Sequence, residues 1–207
     1  MKQQDDLFNL IKRLKSISDI GMLYSKNEYD KERYSEMLEI SYELLHKISG
    51  QEMTSLKNLY AENKDYPTAK VDIRGLILKD NKILLVKEST DNKWSLPGGW
   101  ADIGYSPKEV IVKECKEETG LEVIPERLLA VFDKKFHPHP PQPYYVYKMV
   151  FYCKAISTAI NKGFDVLDVQ YFDVKKLPEL SEDRILKSQV ELVFKKASMP
   201  GADTWFD

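Results

Sequence analysis

Three glutamates at positions 114, 117 and 118 are the residues of this 207-residue chain whose type and spacing point to chemistry. A helix turns about 100° per residue, so Glu118 falls about 40° to one side of Glu114 and Glu117 about 60° to the other. Carboxylates crowded on one face repel each other, and a bound cation relieves that repulsion. All-oxygen ligands favour hard cations, so the pattern indicates either Mg²⁺ or Mn²⁺ binding or a solvated acidic patch.

The residues around the glutamates predict the helix that carries them. Ser106 suits an N-cap, Pro107 suits the first helical position, and Glu109 completes a capping box. Gly120 suits the position after the last turn. We therefore expect a helix over about 107 to 119, with an apolar stripe beside its acidic face that consists of Ile111, Val112, Cys115 and Thr119.

This stretch resembles the Nudix box, which reads G-x5-E-x7-R-E-U-x-E-E-x-G-U, where U is a bulky apolar residue. The residues at matching spacing are Gly99, Glu114, Cys115, Glu117, Glu118, Gly120 and Leu121. Two positions depart from the pattern, because Tyr105 replaces the first glutamate and Lys113 replaces the arginine. In the family this arginine helps to orient a neighbouring catalytic glutamate, and a lysine keeps the charge without the planar fork.

The resemblance implies a fold, a metal site and a reaction. The fold is the Nudix α/β/α sandwich, covering residues 69 to about 180 of an α+β chain. Glu114 and Glu118 are implied as the primary metal ligands, Glu117 as a ligand directly or through water, and the Gly98 carbonyl as a further ligand. The cofactor is Mg²⁺ or Mn²⁺, which neutralises phosphate oxygens and lowers the pKa of a bound water so that it attacks a pyrophosphate.

Further site residues follow from their positions near the box. Nudix enzymes often take the general base from the box or from a later loop, and the loop candidates are Asp165 and Asp168, which are otherwise solvated turn acids. Trp100 and Tyr105 in the box loop are predicted to line the pocket, where aromatic faces stack a base or hold a quaternary ammonium. Arg74 is either a phosphate contact or an exposed strand residue.

The substrate class is an expectation from resemblance. A helical segment before the box and the late stretch 177–184, L-P-x-L-S-x-x-R, resemble a bacterial Nudix subgroup that acts on nucleoside diphosphates linked to X. This resemblance implies hydrolysis of CDP-choline to CMP and phosphocholine, with ADP-ribose as the alternative. Two other classes of function remain. One is RNA-end processing, by a 3′→5′ exonuclease or a 5′ pyrophosphohydrolase, which could be a second activity of the same site. The other is a non-catalytic regulator that binds a nucleotide. The candidate RNA contacts are Lys134, Lys135 and Lys148.

Residues 1–62 are predicted to form a helical domain, because apolar residues recur in two stripes at helical spacing. Gly50 ends the second stripe, and Leu56 and Tyr60 predict a short third helix. The polar segment 62–68 contains Pro67 and marks the boundary. These helices either only pack within the chain or also form a homodimer interface.

After the boundary the sequence first favours β-strands and then alternates between predicted strands and helices. Two β-prone runs joined at residues 79–82 predict a hairpin. The remaining predicted elements are strands near 128–133, 144–154 and 169–173, and a helix over 182–197. The predicted Nudix domain spans 69–197, and 198–207 is a tail.

Composition excludes several classes of protein. The net charge is −2, so no global positive field attracts RNA or an anionic membrane. The first residues lack the apolar run of a secretory signal, and no stretch is long enough to span a membrane. The two cysteines lack CxxC spacing, which favours reduced thiols in a cytoplasmic protein.

Overall fold

The computed structural model describes residues 2–59, 66–102, 104–199 and 201–207, with side chains from residue 7 onward at the amino-terminal end. The chain divides into two compact units. The first comprises Met1–Ala69 with Pro141–Tyr144, and the second comprises Lys70–Pro140 with Tyr145–Asp207.

The first unit contains the helices α1 (Lys2–Tyr24), α2 (Glu28–Ser49) and α3 (Met53–Leu59). Helix α2 begins after Asn27, whose side chain accepts a hydrogen bond from the Asp30 N–H, and ends at Gly50, whose φ is 70°. The core of this unit consists of Ile11, Tyr42, Leu45 and Leu56. The predicted helical segment is confirmed, while Tyr60 and residues 62–65 of the predicted boundary lie outside the described residues.

The described residues of the second unit contain one eight-stranded sheet, made of β1 (Lys70–Lys79), β2 (Lys82–Glu88), β3 (Trp94–Ser95), β4 (Gly98–Trp100), β5 (Val123–Asp133), β6 (Val146–Ala155), β7 (Val166–Asp173) and β8 (Trp205–Phe206). The strand order is β3-β2-β1-β6-β5-β8, with β4 paired to β1 and β7 paired to β2. The predicted hairpin is confirmed, because Leu78 lies opposite Ile83. Asp80 and Asn81 at its turn have φ values of 50° and 58°, which match the twist of the strands.

Helices cover both faces of this sheet. Alternate residues of a strand point to opposite faces, so Ile73 and Ile77 of β1 pack with helix α4 (Pro107–Thr119). Leu76 points the other way and packs with Val190 of helix α5 (Lys187–Ala197). The α/β/α sandwich in an α+β chain is therefore confirmed.

Two segments near the carboxyl end differ from the predictions. The last helix begins at Lys187 rather than at 182, because the Arg184 and Ile185 N–H groups both donate to the Ser181 carbonyl at 2.8 Å and form a turn. Within the predicted tail, Trp205–Phe206 forms β8, which pairs with β5 in parallel. Apolar periodicity marks both segments only weakly, since tertiary pairing decides their conformation.

No helix among the described residues has the length and apolar character needed to cross a bilayer.

Candidate active site

Helix α4 is fixed at both ends by its own sequence. The Ser106 hydroxyl accepts a hydrogen bond from the Glu109 N–H at 3.3 Å, and the Glu109 carboxylate accepts one from the Ser106 N–H at 2.7 Å. Gly120 ends the helix with a φ of 74°. Ile111 and Cys115 are buried against β1, which leaves the glutamate face of the helix beside β4.

Glu118 is held by the backbone of Gly98. The Gly98 N–H donates to Glu118 Oε2 at 2.8 Å, and the glutamate is buried, with 5% of its surface exposed. Gly98 has a φ of 136°, and a Cβ at this position would lie 2.0 Å from the Ile73 carbonyl oxygen. Only glycine therefore lets β4 approach β1 closely enough for its N–H to meet the carboxylate.

Glu114 lies over the next glycine. A Cβ built on Gly99 would lie 2.8 Å from Glu114 Oε1, so this carboxylate occupies the space that a side chain would fill. Burial raises the pKa of Glu114, and the neighbouring Glu117 adds to this rise while Arg74 opposes it. Burial likewise raises the pKa of Glu118 to about 8, against the opposing effects of Arg74 and the Gly98 N–H.

Glu117 completes the acidic face at a shallower depth. Its side chain is 52% exposed, and one carboxylate oxygen lies 4.0 Å from Lys113 Nζ. No three His, Cys, Asp or Glu side chains in the part of the chain that is described converge tightly enough to enclose an ion. The chemistry of the donor set nevertheless fits a hard divalent cation, because every donor is an oxygen and the carboxylates of Glu114 and Glu118 are desolvated by burial.

The two positions that depart from the Nudix box face each other. Lys113 Nζ donates to Asp102 at 2.8 Å and lies 5.7 Å from the centre of the Tyr105 ring. Tyr105 and Trp100 are half-exposed, at 52% and 49%. The Nζ of Lys70 lies 5.5 Å from the Trp100 ring centre. Both predicted pocket aromatics thus present a face to a lysine in the box region.

Arg74 is buried, so the expectation of an exposed strand residue is wrong. Its Nε donates to Asp72 at 2.8 Å, and its Nη1 donates to the Leu96 carbonyl at 3.0 Å. Glu88 lies 3.7 Å from the same Nη1. The guanidinium therefore sits between two carboxylates and the segment that leads into Gly98.

The two candidate loop bases lie in different settings. Asp168 lies within β7, not on a loop, and its carboxylate accepts hydrogen bonds from Val169 N and Gln170 Nε2 at 2.8 and 2.6 Å. Asp165 is exposed on the loop before β7. That loop contacts the end of α4, because the Gly163 N–H donates to the Glu118 carbonyl at 2.9 Å. Asp165 is therefore on the segment adjoining the acidic helix.

Sequence reasoning missed the charged groups around Arg74. Burial alone would raise the pKa of Asp72, but Arg74 and Lys148 outweigh it and the pKa lies below its ordinary value. Arg184 of the L-P-x-L-S-x-x-R stretch donates through Nε to Glu88 at 3.0 Å. The available signal was the spacing of Asp72 and Arg74, which places opposite charges on one face of an apolar strand.

Two of the three lysines that were expected to contact RNA are inside the protein. Lys148 is fully buried and donates to Asp72, and burial lowers its pKa. Lys134 donates to the Asp183 carbonyl at 2.5 Å, and burial lowers its pKa to about 8. Only Lys135 is exposed. These lysines do not form a surface for RNA.

Two family models match this chain. One is a Nudix N-terminal domain, described as UDP-X-like and as an oligomerisation domain, which matches residues 5–60. The other is the NUDIX domain, which matches residues 69–192. The chain belongs to the Nudix hydrolase family. It is therefore an enzyme of a family that generally uses divalent metal ions, and the resemblance read from the box is confirmed.

Relatives of this Nudix hydrolase carry related names. It is 39% identical over 207 residues, 100% of each chain, to YjhB of Bacillus subtilis (strain 168), which is named provisionally as an ADP-ribose pyrophosphatase. A crystal structure of a UDP-X diphosphatase aligns with a TM-score of 0.64 and 34% identity over 99% of each chain. An ADP-ribose pyrophosphatase from Streptococcus suis 89-1591 aligns with a TM-score of 0.61 and 35% identity, covering 68% of this chain and 100% of that one.

Proposed function

We propose that this Nudix hydrolase cleaves the pyrophosphate bond of nucleoside diphosphates linked to a second group X, with Mg²⁺ or Mn²⁺ as cofactor. The observation that carries the proposal is the placement of Glu118 and Glu114 on the glycines Gly98 and Gly99. This placement gathers two carboxylates against the glycines that begin β4, and the carboxylates supply the oxygen ligands that a divalent cation needs next to a diphosphate.

The residues that would hold the cation are Glu114 and Glu118, with Glu117 directly or through water and the Gly98 carbonyl as a further ligand. The cation, when bound, supplies positive charge to the phosphate oxygens and makes water more acidic. A carboxylate binds a cation in its ionised form, so Glu118 must lose its proton for the cation to bind. Because Glu117 is the most exposed glutamate of the three, it is placed to take the proton of the attacking water, with Asp165 as the second candidate.

ADP-ribose is the first substrate to test. The full-length relative and the Streptococcus suis structure both carry that activity in their names. The UDP-X description of the N-terminal model and the aligned UDP-X diphosphatase support a wider class of nucleoside diphosphates. None of these relatives is named for RNA. Membership of a hydrolase family also favours an enzyme over the non-catalytic regulator.

CDP-choline is kept as a second candidate because of the two exposed aromatic faces. Trp100 and Tyr105 already have the amino groups of Lys70 and Lys113 within 5.5 and 5.7 Å of their ring centres. A quaternary ammonium binds such faces by the same cation–π attraction. The same faces can instead stack on a nucleobase, so an assay with both substrates decides between CDP-choline and ADP-ribose.

The homodimer is proposed on the pattern of α1. Leu7, Leu10, Ile17 and Tyr24 are 43%, 60%, 48% and 64% exposed. Together with Leu14 they recur at intervals of three, four, three and seven residues, which is the spacing of a helix–helix seam, while Gly21 on the same line packs against Tyr34 of α2. The oligomerisation domain matched at residues 5–60 includes this seam.

One assay panel tests the proposed function. Purified protein with Mg²⁺ or Mn²⁺ is given ADP-ribose, UDP-glucose, CDP-choline, capped RNA and a plain oligoribonucleotide, and products are separated by chromatography. We expect a nucleoside monophosphate and a phosphorylated X from at least one of the first three. Failure to cleave any of them contradicts the proposal.

The same panel tests the site. Glu118→Gln and Glu114→Gln are each expected to lower kcat by about 10²–10³-fold, the scale for removing one preorganised electrostatic group. The matched control is Glu122→Gln, because Glu122 is an exposed glutamate just beyond α4 that pairs with Lys116 at 3.0 Å. Turnover that survives the double variant at 114 and 118 would place the chemistry elsewhere.

A further inference from the structure

We infer that Arg74 is the positioning residue for segment 96–98, which leads into β4, and through it for Glu118, in place of the arginine that the Nudix box lacks here. The inference rests on the proposed metal site. It assigns to a residue of β1 a task that the box would assign to position 113.

Position 113 is occupied with other partners. Lys113 Nζ donates to Asp102 at 2.8 Å, and its side chain is 37% exposed. It approaches Glu117 only to 4.0 Å, and Glu117 is itself half-exposed. The lysine therefore ties the loop before α4 to the helix surface and does not hold Glu118.

Arg74 is placed to do so through the backbone. In the β1–β4 ladder it is the direct partner of Gly98. Its Nη1 donates to the Leu96 carbonyl, two residues before Gly98, at 3.0 Å. The Gly98 N–H in turn donates to Glu118 at 2.8 Å. The guanidinium thus fixes the segment whose N–H fixes the carboxylate.

Box position 113 makes no comparable contact. Among the described residues, Lys113 reaches neither Glu118 nor Glu114 by a hydrogen bond or an ion pair, since it pairs with Asp102 and Glu117. Arg74 therefore supplies the orientation that the family assigns to the box arginine.

The guanidinium is fixed by carboxylates on two sides. Asp72 accepts from Nε at 2.8 Å and is itself bound by the buried amino group of Lys148. Glu88 faces Nη1 at 3.7 Å and is held by Arg184 at 3.0 Å. The Ser95 hydroxyl donates to the same Glu88 oxygen at 2.5 Å.

The resulting chain of alternating charges runs from Lys148 through Asp72, Arg74 and Glu88 to Arg184. Buried ion pairs contribute little net stability, because the cost of desolvating the charges offsets their attraction. The arrangement instead holds the Arg74 guanidinium in a fixed orientation. Arg184 closes the chain from the L-P-x-L-S-x-x-R stretch, which gives that stretch a part in holding the site.

The test compares Arg74→Met and Arg74→Lys with Lys113→Met. The readouts are kcat and KM with ADP-ribose at saturating Mn²⁺, and the dissociation constant of Mn²⁺ without substrate, measured by electron paramagnetic resonance. We expect Arg74→Met to lower kcat and to weaken Mn²⁺ binding by about 10–100-fold each, the range for groups that orient metal ligands. KM should change much less than kcat.

The two other variants sharpen the comparison. Arg74→Lys keeps the charge but loses the planar fork, so it should recover only part of the loss. Lys113→Met should change the dissociation constant of Mn²⁺ by less than about 5-fold, the scale of an exposed ion pair. A loss in Lys113→Met as large as in Arg74→Met overturns the inference, as does Mn²⁺ affinity that is unchanged in both Arg74 variants.

Loss of folding is separated from loss of positioning by further variants. If Arg74→Met does not fold by circular dichroism, Arg74→Lys and Glu88→Gln carry the test, and both should weaken Mn²⁺ binding. A rise in KM with kcat and Mn²⁺ affinity retained would make Arg74 a substrate contact and would overturn the positioning role.

The inference and the proposed function fail in different ways. If the wild-type chain binds Mn²⁺ but cleaves none of the substrates, the proposed function fails, and the Mn²⁺ constants of the variants still decide the role of Arg74. A wild-type chain that binds neither Mn²⁺ nor Mg²⁺ overturns both.

Discussion

Gly98 joins three requirements of the site in one residue. Its φ of 136° is a conformation that L side chains rarely adopt, its N–H holds Glu118, and the Ile73 carbonyl lies where a Cβ would be. Gly104, in the loop before α4, has a comparable φ of 92° but nothing within 4 Å of a built Cβ. Comparing substitutions at Gly98 and Gly104 therefore separates the effect of backbone strain, which both positions have, from that of steric contact, which only Gly98 has.

Gly98→Ala is accordingly expected to lower the free energy of unfolding by roughly 1–3 kcal/mol more than Gly104→Ala, the usual cost of forcing an extra group into a packed site. Both variants share the backbone strain, and only Gly98→Ala also displaces the Glu118 partner. Urea unfolding gives the stabilities, and the pyrophosphatase assay gives the activity of the folded protein. Equal stability of the two variants would show that β4 can move away from β1.

The glutamates and Arg74 differ in how far the sequence predicts them. The spacing of 114, 117 and 118 gives their shared face directly, because helical geometry is local. Their unequal burial was not predictable, since it depends on the glycines of β4. The sequence alone allows two roles for Arg74, because its partners Glu88 and Leu96 come from other parts of the chain. A pattern within one strand carries no information about those neighbours.

Among the elements, α1 presents apolar residues on two sides. Ile11 is buried in the core of its own unit, whereas Leu10 and Ile17 are exposed seven residues apart, on one line of the helix. Exposed apolar residues repeated at this spacing cost solubility unless another helix covers them. In the proposed homodimer, a second copy of the chain supplies that helix.

Leu10→Glu with Ile17→Glu is therefore expected to convert a dimer to a monomer, because two charges in the seam would be buried on association. Light scattering should show the mass fall from twice to once the 24.1 kDa of the chain. The control is Ile124→Glu, an equally exposed apolar position on β5, which should leave the mass unchanged. A wild-type monomer, or a double variant that remains dimeric, contradicts the seam.

Elements whose signals lie in consecutive residues can be predicted from the sequence, whereas elements that depend on contacts with distant parts of the chain cannot. The capped helix α4 and the hairpin of β1 and β2 carry their signals in consecutive residues, and both form as expected. The turn at Ser181 and the strand at Trp205–Phe206 depend on distant partners, Asp91 and β5. The strand order, with parallel β1 and β6 adjacent across a long stretch of sequence, has no local signal either.

At the scale of the whole molecule, the proposed metal site is expected to couple stability to pH and to metal. Burial raises the pKa of Glu118 to about 8, above its ordinary value of 4.5. Between these values the folded state holds a proton that the unfolded state has released, so the free energy of unfolding falls as pH rises. His139 acts oppositely, because burial lowers its pKa to about 4, but its effect is complete above its ordinary value of 6.5.

Glu118 dominates the window from pH 6.5 to 8, because the opposing effect of Lys134, whose pKa burial lowers to about 8, begins only near the upper end. We expect the melting temperature of the metal-free protein to fall across this window, and Mn²⁺ to raise it more at pH 8 than at pH 6.5. In the proposed site the cation binds the ionised carboxylate, so at the lower pH it must first displace the proton. At a metal concentration 100 times the dissociation constant, the stabilisation is about 2.7 kcal/mol.

Glu118→Gln supplies the matched comparison, because the amide has a similar shape and does not titrate in this range. Its melting temperature without metal should be nearly flat between pH 6.5 and 8, and Mn²⁺ should raise it little at either pH. Differential scanning calorimetry on both proteins, with chelator and with Mn²⁺, measures all of these quantities. A wild-type melting temperature that stays level without metal, or a fall of the same size in Glu118→Gln, would show that another group carries the proton.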